Sequence, residues 1–348
     1  MSAAVTAPVA SSVTTPVTPE RIYQFAFGYA PPLILEAAIR HHVFDTLDFG
    51  PKSLHQIHLD TGASERGLAN ILNALVGLEF LSKDQDGIYS LTAESAAFLV
   101  STKPGFQGGL IRHTSEQLIP KWLNLNEVVR TGKPAAAVNQ ESTGGDFFKE
   151  FVNDIFPMSY HVAQELARHL NLSASRDMVS ALDLAAGSGV WGIALAQSSP
   201  TVQVTAVDWP EVIPVTTATV GRFGLGDRFT FVEGDLQQAD FGSGHHVATL
   251  GHILHSEGIE RSKLLLQKTF AALAPGGTIA IAEFLVNADR TGPLNGLIFA
   301  VNMLVNTDEG DTYSFEEIRD WLREAGFVEA RTLATHGPSP LILANKPR

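Results

Sequence analysis

The chain has 348 residues, 45% hydrophobic and 18% charged, which is length for two domains and ample apolar material for a core. Its formal net charge of −13 opposes binding to nucleic acid or an anionic membrane, and the absence of cysteine excludes disulfides, thiolate metal sites and a Cys nucleophile. No run reaches the ~20 apolar residues of a membrane span, so the expected location is the cytoplasm.

Residues 1–19 are mostly Ala, Ser, Thr, Val and Pro, with no Lys or Arg. A secretory signal needs a basic start and a continuous apolar segment, so this stretch reads as a disordered tail. Residues 20–100 read as a helical domain. In "RIYQFAFGYAPPLILEAAIRHHVFDTL" (21–47) helical apolar spacing is interrupted at Pro31-Pro32, which predicts two helices. Residues 53–92 read helix, turn, helix and then a hairpin around Asp84-Gln85-Asp86-Gly87. Thr61-Gly62 ends the first helix, and Ser64 caps a second that buries Leu68, Ile71, Leu72 and Leu75. That pattern is a winged helix. Its second helix carries one cation, Arg66, beside Glu65, and its wing sets Lys83 against Asp84 and Asp86. A DNA-reading helix and wing supply several phosphate contacts, so a structural or dimerising role is favoured over DNA binding.

Residues 101–172 read as a mainly helical connector, with a Gly- and Pro-marked loop, "TGKPAAAVNQESTGG", over 131–145. From 173 onward strands alternate with helices. The strands are "VSALDLA", "QVTAVDW", "FTFVEGD", "HHVATLGH" and "TIAIAEFLV", with helices between the first four and before the fifth. A last helix, "SFEEIRDWLREAG", precedes "FVEARTLAT" and "SPLILANK", a closing antiparallel hairpin that turns at 336–339. Five strands with helical crossovers make an open, doubly wound, Rossmann-like α/β sheet.

The first of these strands runs into Gly187-Ser188-Gly189-Val190-Trp191-Gly192, a literal G-x-G-x-x-G. By itself this motif is weak, and a nicotinamide-binding domain is the competing reading. Asp183 precedes Gly187 by four residues. A carboxylate under the loop would repel a pyrophosphate and suit a ligand with an ammonium at its near end, as S-adenosylmethionine has. Asp208 ends the second strand about twenty residues on, where an acid hydrogen-bonds ribose hydroxyls. "EGD" ends the third, setting Asp235 to accept an adenine amino group and Leu236 to cover a ring face.

In order, "LDLAAGSG", "VDWPEV", "EGDL", "ILHSEG" and "APGGTIAIAE" resemble motifs of the small-molecule O-methyltransferases related to plant caffeic acid and acetylserotonin O-methyltransferases and to bacterial natural-product enzymes. The resemblance spans roughly residues 20–345. It implies a class I methyltransferase sheet behind an N-terminal, all-helical winged-helix dimerisation domain, and a homodimer that uses S-adenosylmethionine. Cofactor contacts are implied for Gly187, Asp208, Asp235 and Leu236, with Gly189 in the same loop. His255 is implied as general base and Glu283 as a carboxylate that orients it.

Several positions depart from the family pattern. Two loop glycines are Ala185 and Ala186, the basic residue usual before the catalytic His is Gly251, and the Asp-Trp after it is Ser256-Glu257. One cofactor contact and an adenine-side aromatic are thereby lost, and Trp209 or Trp191 is placed to supply the aromatic. The second His-orienting acid falls near Thr312, with Asp311 adjacent. The altered "HSEG" keeps open a non-methylating reaction on the same fold, of pericyclase, hydroxylase or decarboxylase type.

His113, Trp122, Phe156, Met158, His252, Asn302 and Met303 lie where the family's substrate-contacting helices fall, implying a largely apolar cavity for an aromatic or polyketide-like acceptor. Of the histidines around strand four, His245 and His246 lie across the strand from His252 and His255, so no metal site is expected.

Overall fold

The computed structural model describes residues 17–134, 137–138 and 141–348. The expected tail therefore lies almost wholly outside the described residues. Pro31 and Pro32 stand in the first turn of the helix Ala30–Arg40. The first N–H groups of a helix have no partner within it, so prolines that lack them are tolerated there. They open a helix instead of dividing one, and the segment forms three: Glu20–Ala26, Ala30–Arg40 and Val43–Leu47.

Ser53 and Ser64 cap the helices Leu54–Thr61 and Glu65–Gly77, and Gly62 ends the first at φ 69°. Leu68, Leu72 and Leu75 are buried with Phe44, Ile57 and Tyr89, while Ile71 is half-buried against them. The hairpin Leu81–Lys83 and Ile88–Leu91 takes Lys52–Ser53 as a third antiparallel strand, so this helical domain also carries a small sheet.

The C-terminal part is built on seven strands: β1 (Val179–Leu184), β2 (Val202–Asp208), β3 (Phe229–Glu233), β4 (His245–Gly251), β5 (Leu273–Ala282), β6 (Val328–Leu333) and β7 (Leu341–Asn345). Their order is β3-β2-β1-β4-β5-β7-β6. The first five are parallel, and β7 runs antiparallel between β5 and β6. All but one residue of β1 is buried, because helices cover both faces of a central parallel strand. The helix Val190–Ser198 is buried from Val190 to Ala196, sealed under the neighbouring helix Phe156–Leu170. The chain reverses its winding between β1 and β4, and the crevice at their carboxyl ends is the expected binding place.

Two expectations change. No helix links β3 to β4. Gly234, Gly242 and Gly244 all have positive φ, which breaks helical continuity. Leu236 and Phe241 instead bury into the core, and Lys268 Nζ donates to the carbonyls of Leu236 and Ala239. The loop expected through 145 is also shorter, because a helix begins at Glu141 and runs to Asp154. Among the described residues no helix is long and apolar enough to cross a membrane.

Candidate active site

The turn after β1 is held in an unusual backbone shape. Ala185, Gly187 and Gly189 have φ of 51°, 57° and 79°. An alanine there costs roughly 1–2 kcal/mol, which the surrounding bonds must over-determine. Gly187 N–H donates to Asp208 Oδ2 at 2.7 Å, Thr216 Oγ1 donates to the Gly187 carbonyl at 2.6 Å, and Ala186 N–H donates to the Val207 carbonyl at 3.2 Å. Asp208 also accepts from Trp209 N–H at 2.7 Å. Burial pushes its carboxyl up to about 6, against these two bonds. Each oxygen keeps a lone pair for a ligand hydroxyl.

These groups open on one cavity of about 260 Å³, lined by Ala185 to Ser188, Asp208, Trp209, Asp235 and Leu236 at one end and by His252, His255, Asn302 and Met303 at the other. Asp235 is fixed by Gln237 N–H at 2.8 Å and by Arg261 at 3.2 Å, while Arg261 also reaches the buried Glu257 at 2.7 Å. The glycine turn, the hydroxyl-accepting Asp208 and the Asp235–Leu236 corner fit a nucleoside whose other end lies toward β4.

At that other end stands a buried dyad. His255 is 8% and Glu283 2% exposed, with Nδ1 to Oε2 at 2.8 Å. Glu283 Oε1 accepts the backbone N–H of His255 at 3.2 Å, so one carboxylate holds both ring and main chain. Burial would push the Glu283 carboxyl up, but the His255 and His252 rings with these bonds hold it below the usual range. Phe299 packs edge-on against the His255 ring at 4.9 Å. Among the described residues nothing is hydrogen-bonded to His255 Nε2, and the residue lines the cavity.

Most sequence-expected site residues converge here: Gly187, Asp208, Trp209, Asp235, Leu236, His113, Phe156, Met158, His252, His255, Asn302 and Met303 all line the cavity, with Glu283 directly behind His255. Four do not. Asp183 is wholly buried within β1, its oxygens taken by Gly192 N–H at 2.9 Å and Thr249 Oγ1 at 2.8 Å, so it ties β1 to the helix Val190–Ser198 and to β4 and does not line the cavity. Gly189 faces the helix Ile213–Arg222, where a Cβ would meet Thr216 at 3.1 Å. Trp122 stands behind the wall and donates to Asn302 Oδ1 at 2.9 Å. Asp311 is exposed, and only its backbone N–H touches His255, through the carbonyl at 2.9 Å. Thr312 spends its hydroxyl on the Gly296 carbonyl.

The wall missed from sequence is aromatic. Phe147, Phe148 and Phe151 line the cavity from the helix Glu141–Asp154, Phe151 against His113 at 4.1 Å and Phe148 against Trp209 at 5.7 Å. The i, i+1, i+4 spacing of these phenylalanines is the signal that could have revealed it. Phe284 and Phe299 complete the far side, 4.3 Å apart between ring centres. Burial lowers the affinity of His113 for a proton and brings His252 down to about 4, so the latter is neutral at pH 7. His252 Nε2 lies 2.8 Å from Ser339 Oγ.

Comparison with known proteins gives the family of the chain. Residues 122–328 match the O-methyltransferase domain and residues 23–101 the O-methyltransferase dimerisation domain. The chain is 30% identical to the 3-hydroxy-5-methyl-1-naphthoate 3-O-methyltransferase of Streptomyces sahachiroi, over 92% of both chains. It is 29% identical to the tetracenomycin polyketide synthesis 8-O-methyl transferase TcmO of Streptomyces glaucescens, over 95% of this chain and 97% of that one. Among solved structures, PigF with SAH superposes with a TM-score of 0.83 at 26% identity, covering 95% of this chain and 100% of that one. The PigF sequence comes from a Serratia strain.

Proposed function

The chain belongs to the O-methyltransferase family, and we propose that it methylates a hydroxyl of a small aromatic or polyketide-like acceptor, with His255 as the general base. S-adenosylmethionine is its cofactor, in keeping with PigF with SAH and with Asp208, Asp235 and Leu236 in the cavity lining. When bound it supplies an electrophilic methyl group on a sulfonium.

The observation that carries the reading is the buried His255–Glu283 pair at the wall of an aromatic-lined cavity. A phenol of pKa about 10 is mostly protonated at pH 7, a handicap of about 4 kcal/mol for its oxygen as nucleophile. Glu283 accepts the Nδ1 proton, which selects the tautomer with a free Nε2 lone pair. His255 Nε2 then takes the hydroxyl proton as the oxygen–carbon bond forms and the sulfur–carbon bond breaks. Glu283 stabilises the resulting imidazolium in a site from which water is largely excluded. Phe147, Phe151, Phe284 and Phe299 provide flat surfaces for an acceptor ring, while Asn302, braced by Trp122, and the neutral His252 offer polar handles. Holding acceptor and methyl group in line is worth on the order of 7–11 kcal/mol, more than the proton transfer itself.

The same reading makes the protein a homodimer through its N-terminal helices. Ile22, Tyr23, Phe25, Phe27 and Tyr29 are all at least 60% exposed on one short stretch, more apolar surface than a lone subunit keeps in water.

The test is transfer of label from methyl-labelled S-adenosylmethionine to a panel of phenols, naphthols, amines and thiols. Label should appear on hydroxyl acceptors and fall 10²–10⁴-fold in His255→Ala with binding of S-adenosylhomocysteine intact. Transfer to amines alone, or an undiminished rate in the variant, would overturn the proposal.

A further inference from the structure

The Trp191 side chain packs against the end of β4. It sits in the first turn of the helix Val190–Ser198, and its indole fills the space beside Gly251 at the carboxyl end of β4. A Cβ on Gly251 would lie 1.9 Å from Trp191 Nε1, with the neighbouring ring carbons at 2.6 and 2.8 Å. Gly251 has no positive φ, so its backbone would accept a side chain; the indole is what excludes one. Position 251 is the one where the family resemblance leads one to expect a base. An aromatic donor from the opposite side of the crevice now occupies that volume.

The polar end of this ring is unspent. Trp191 is 4% exposed as a residue, and among the described residues no acceptor is bonded to Nε1, which is not one of the sealed, unsatisfied polar atoms and so keeps accessible surface for a ligand. Trp191 and Gly251 both line the cavity, next to the turn residues Ala185 to Ser188. A nucleoside placed with hydroxyls on Asp208 and its base at Asp235–Leu236 extends across β1 toward β4, so its substituent ends beside this N–H. In an S-adenosyl compound that substituent is an amino acid, whose carboxylate is the strongest acceptor on the molecule.

We propose that Trp191 Nε1–H binds the carboxylate of the cofactor's amino-acid tail, from the volume that a side chain at 251 would otherwise take. The proposal rests on S-adenosyl binding in this cavity and is independent of the acceptor or of the role of His255. Trp191 is then a specificity residue for the cofactor's tail, with no part in proton transfer. The pair is mutually exclusive: a base at 251 or an indole at 191 can fill the space, and this chain has the indole.

The experiment compares binding of S-adenosylhomocysteine with that of 5′-methylthioadenosine, which keeps the nucleoside and lacks the amino acid. Trp191→Phe removes the N–H and keeps an aromatic ring. It should weaken S-adenosylhomocysteine roughly tenfold, equivalent to about 1.4 kcal/mol, and leave 5′-methylthioadenosine within about twofold. In the unsubstituted protein, the indole ¹⁵N–¹H signal absent from Trp191→Phe should move downfield with the first ligand and stay in place with the second. Equal weakening of both ligands, no change in either, or an indole signal indifferent to the tail would overturn the inference. Failure of the unsubstituted protein to bind S-adenosylhomocysteine would instead sink the cofactor reading on which it rests.

Discussion

Replacing Glu283 by Gln tests the dyad with the least disturbance, because shape and volume are almost unchanged. Both carboxylate oxygens are used: Oε2 accepts from Nδ1 of His255 at 2.8 Å and Oε1 from its backbone N–H at 3.2 Å. A primary amide has only one acceptor oxygen. If that oxygen keeps the main-chain bond, the amide NH₂ faces Nδ1 and forces the proton onto Nε2, where it blocks the base. If it turns to Nδ1, the NH₂ meets the backbone N–H and a buried donor goes unpaired. Either way the imidazolium loses a carboxylate partner in a site only 2% exposed at Glu283. A hydrogen bond to a charged group is worth ~1.5–3 kcal/mol. At 1.36 kcal/mol per decade, kcat should fall about 10- to 150-fold. The assay is kcat at saturating cofactor and acceptor, with S-adenosylhomocysteine affinity measured separately by calorimetry. A kcat within about twofold of the original, or a parallel loss of ligand affinity, would refute the reasoning.

Further consequences follow from the same contacts. Burial pushes the Asp183 carboxyl up from 3.8 to about 7, so the folded state holds its proton where the unfolded chain has released it. Stability is then lost as pH rises between those values, on the order of 4 kcal/mol in all, and Asp183→Asn should gain on the original protein across that window and run parallel to it above pH 7 in chemical denaturation. Asp208, raised to about 6, accepts ligand hydroxyls best when ionised, so S-adenosylhomocysteine affinity by calorimetry should fall below that pH and be level above it. Gly251→Ser would drive a side chain into the Trp191 indole, and the overpacking should cost ~1–3 kcal/mol, read as a lower Tm. Ile22→Glu with Phe25→Glu should convert a dimer to a monomer by light scattering; an original protein already monomeric would refute the assembly.

The elements whose reasons are local were legible along the chain. Ser53, Ser64 and Gly62 bound their helices by caps and a left-handed turn, and the apolar runs of β1, β2 and β4 announce strands covered on both faces. Motif order pointed to His255, Glu283, Asp208 and Asp235, and all four are at or within a few residues of a strand end, where topology sends them toward one crevice. Orientation was the part that sequence could not supply. Asp183 and Asp208 both come from strands that point at the glycine turn, yet one is consumed by Gly192 and Thr249 and the other opens on the cavity. Asp311 is next to the expected position of an acid, yet it is exposed and its Oδ1 accepts the Thr312 backbone N–H at 2.7 Å. Only packing decides such cases, since a side chain's direction depends on neighbours that can lie many tens of residues away in the chain. The meeting of Trp191 with Gly251 is of that kind: two residues sixty positions apart share one volume, and neither alone reveals that the other has filled it.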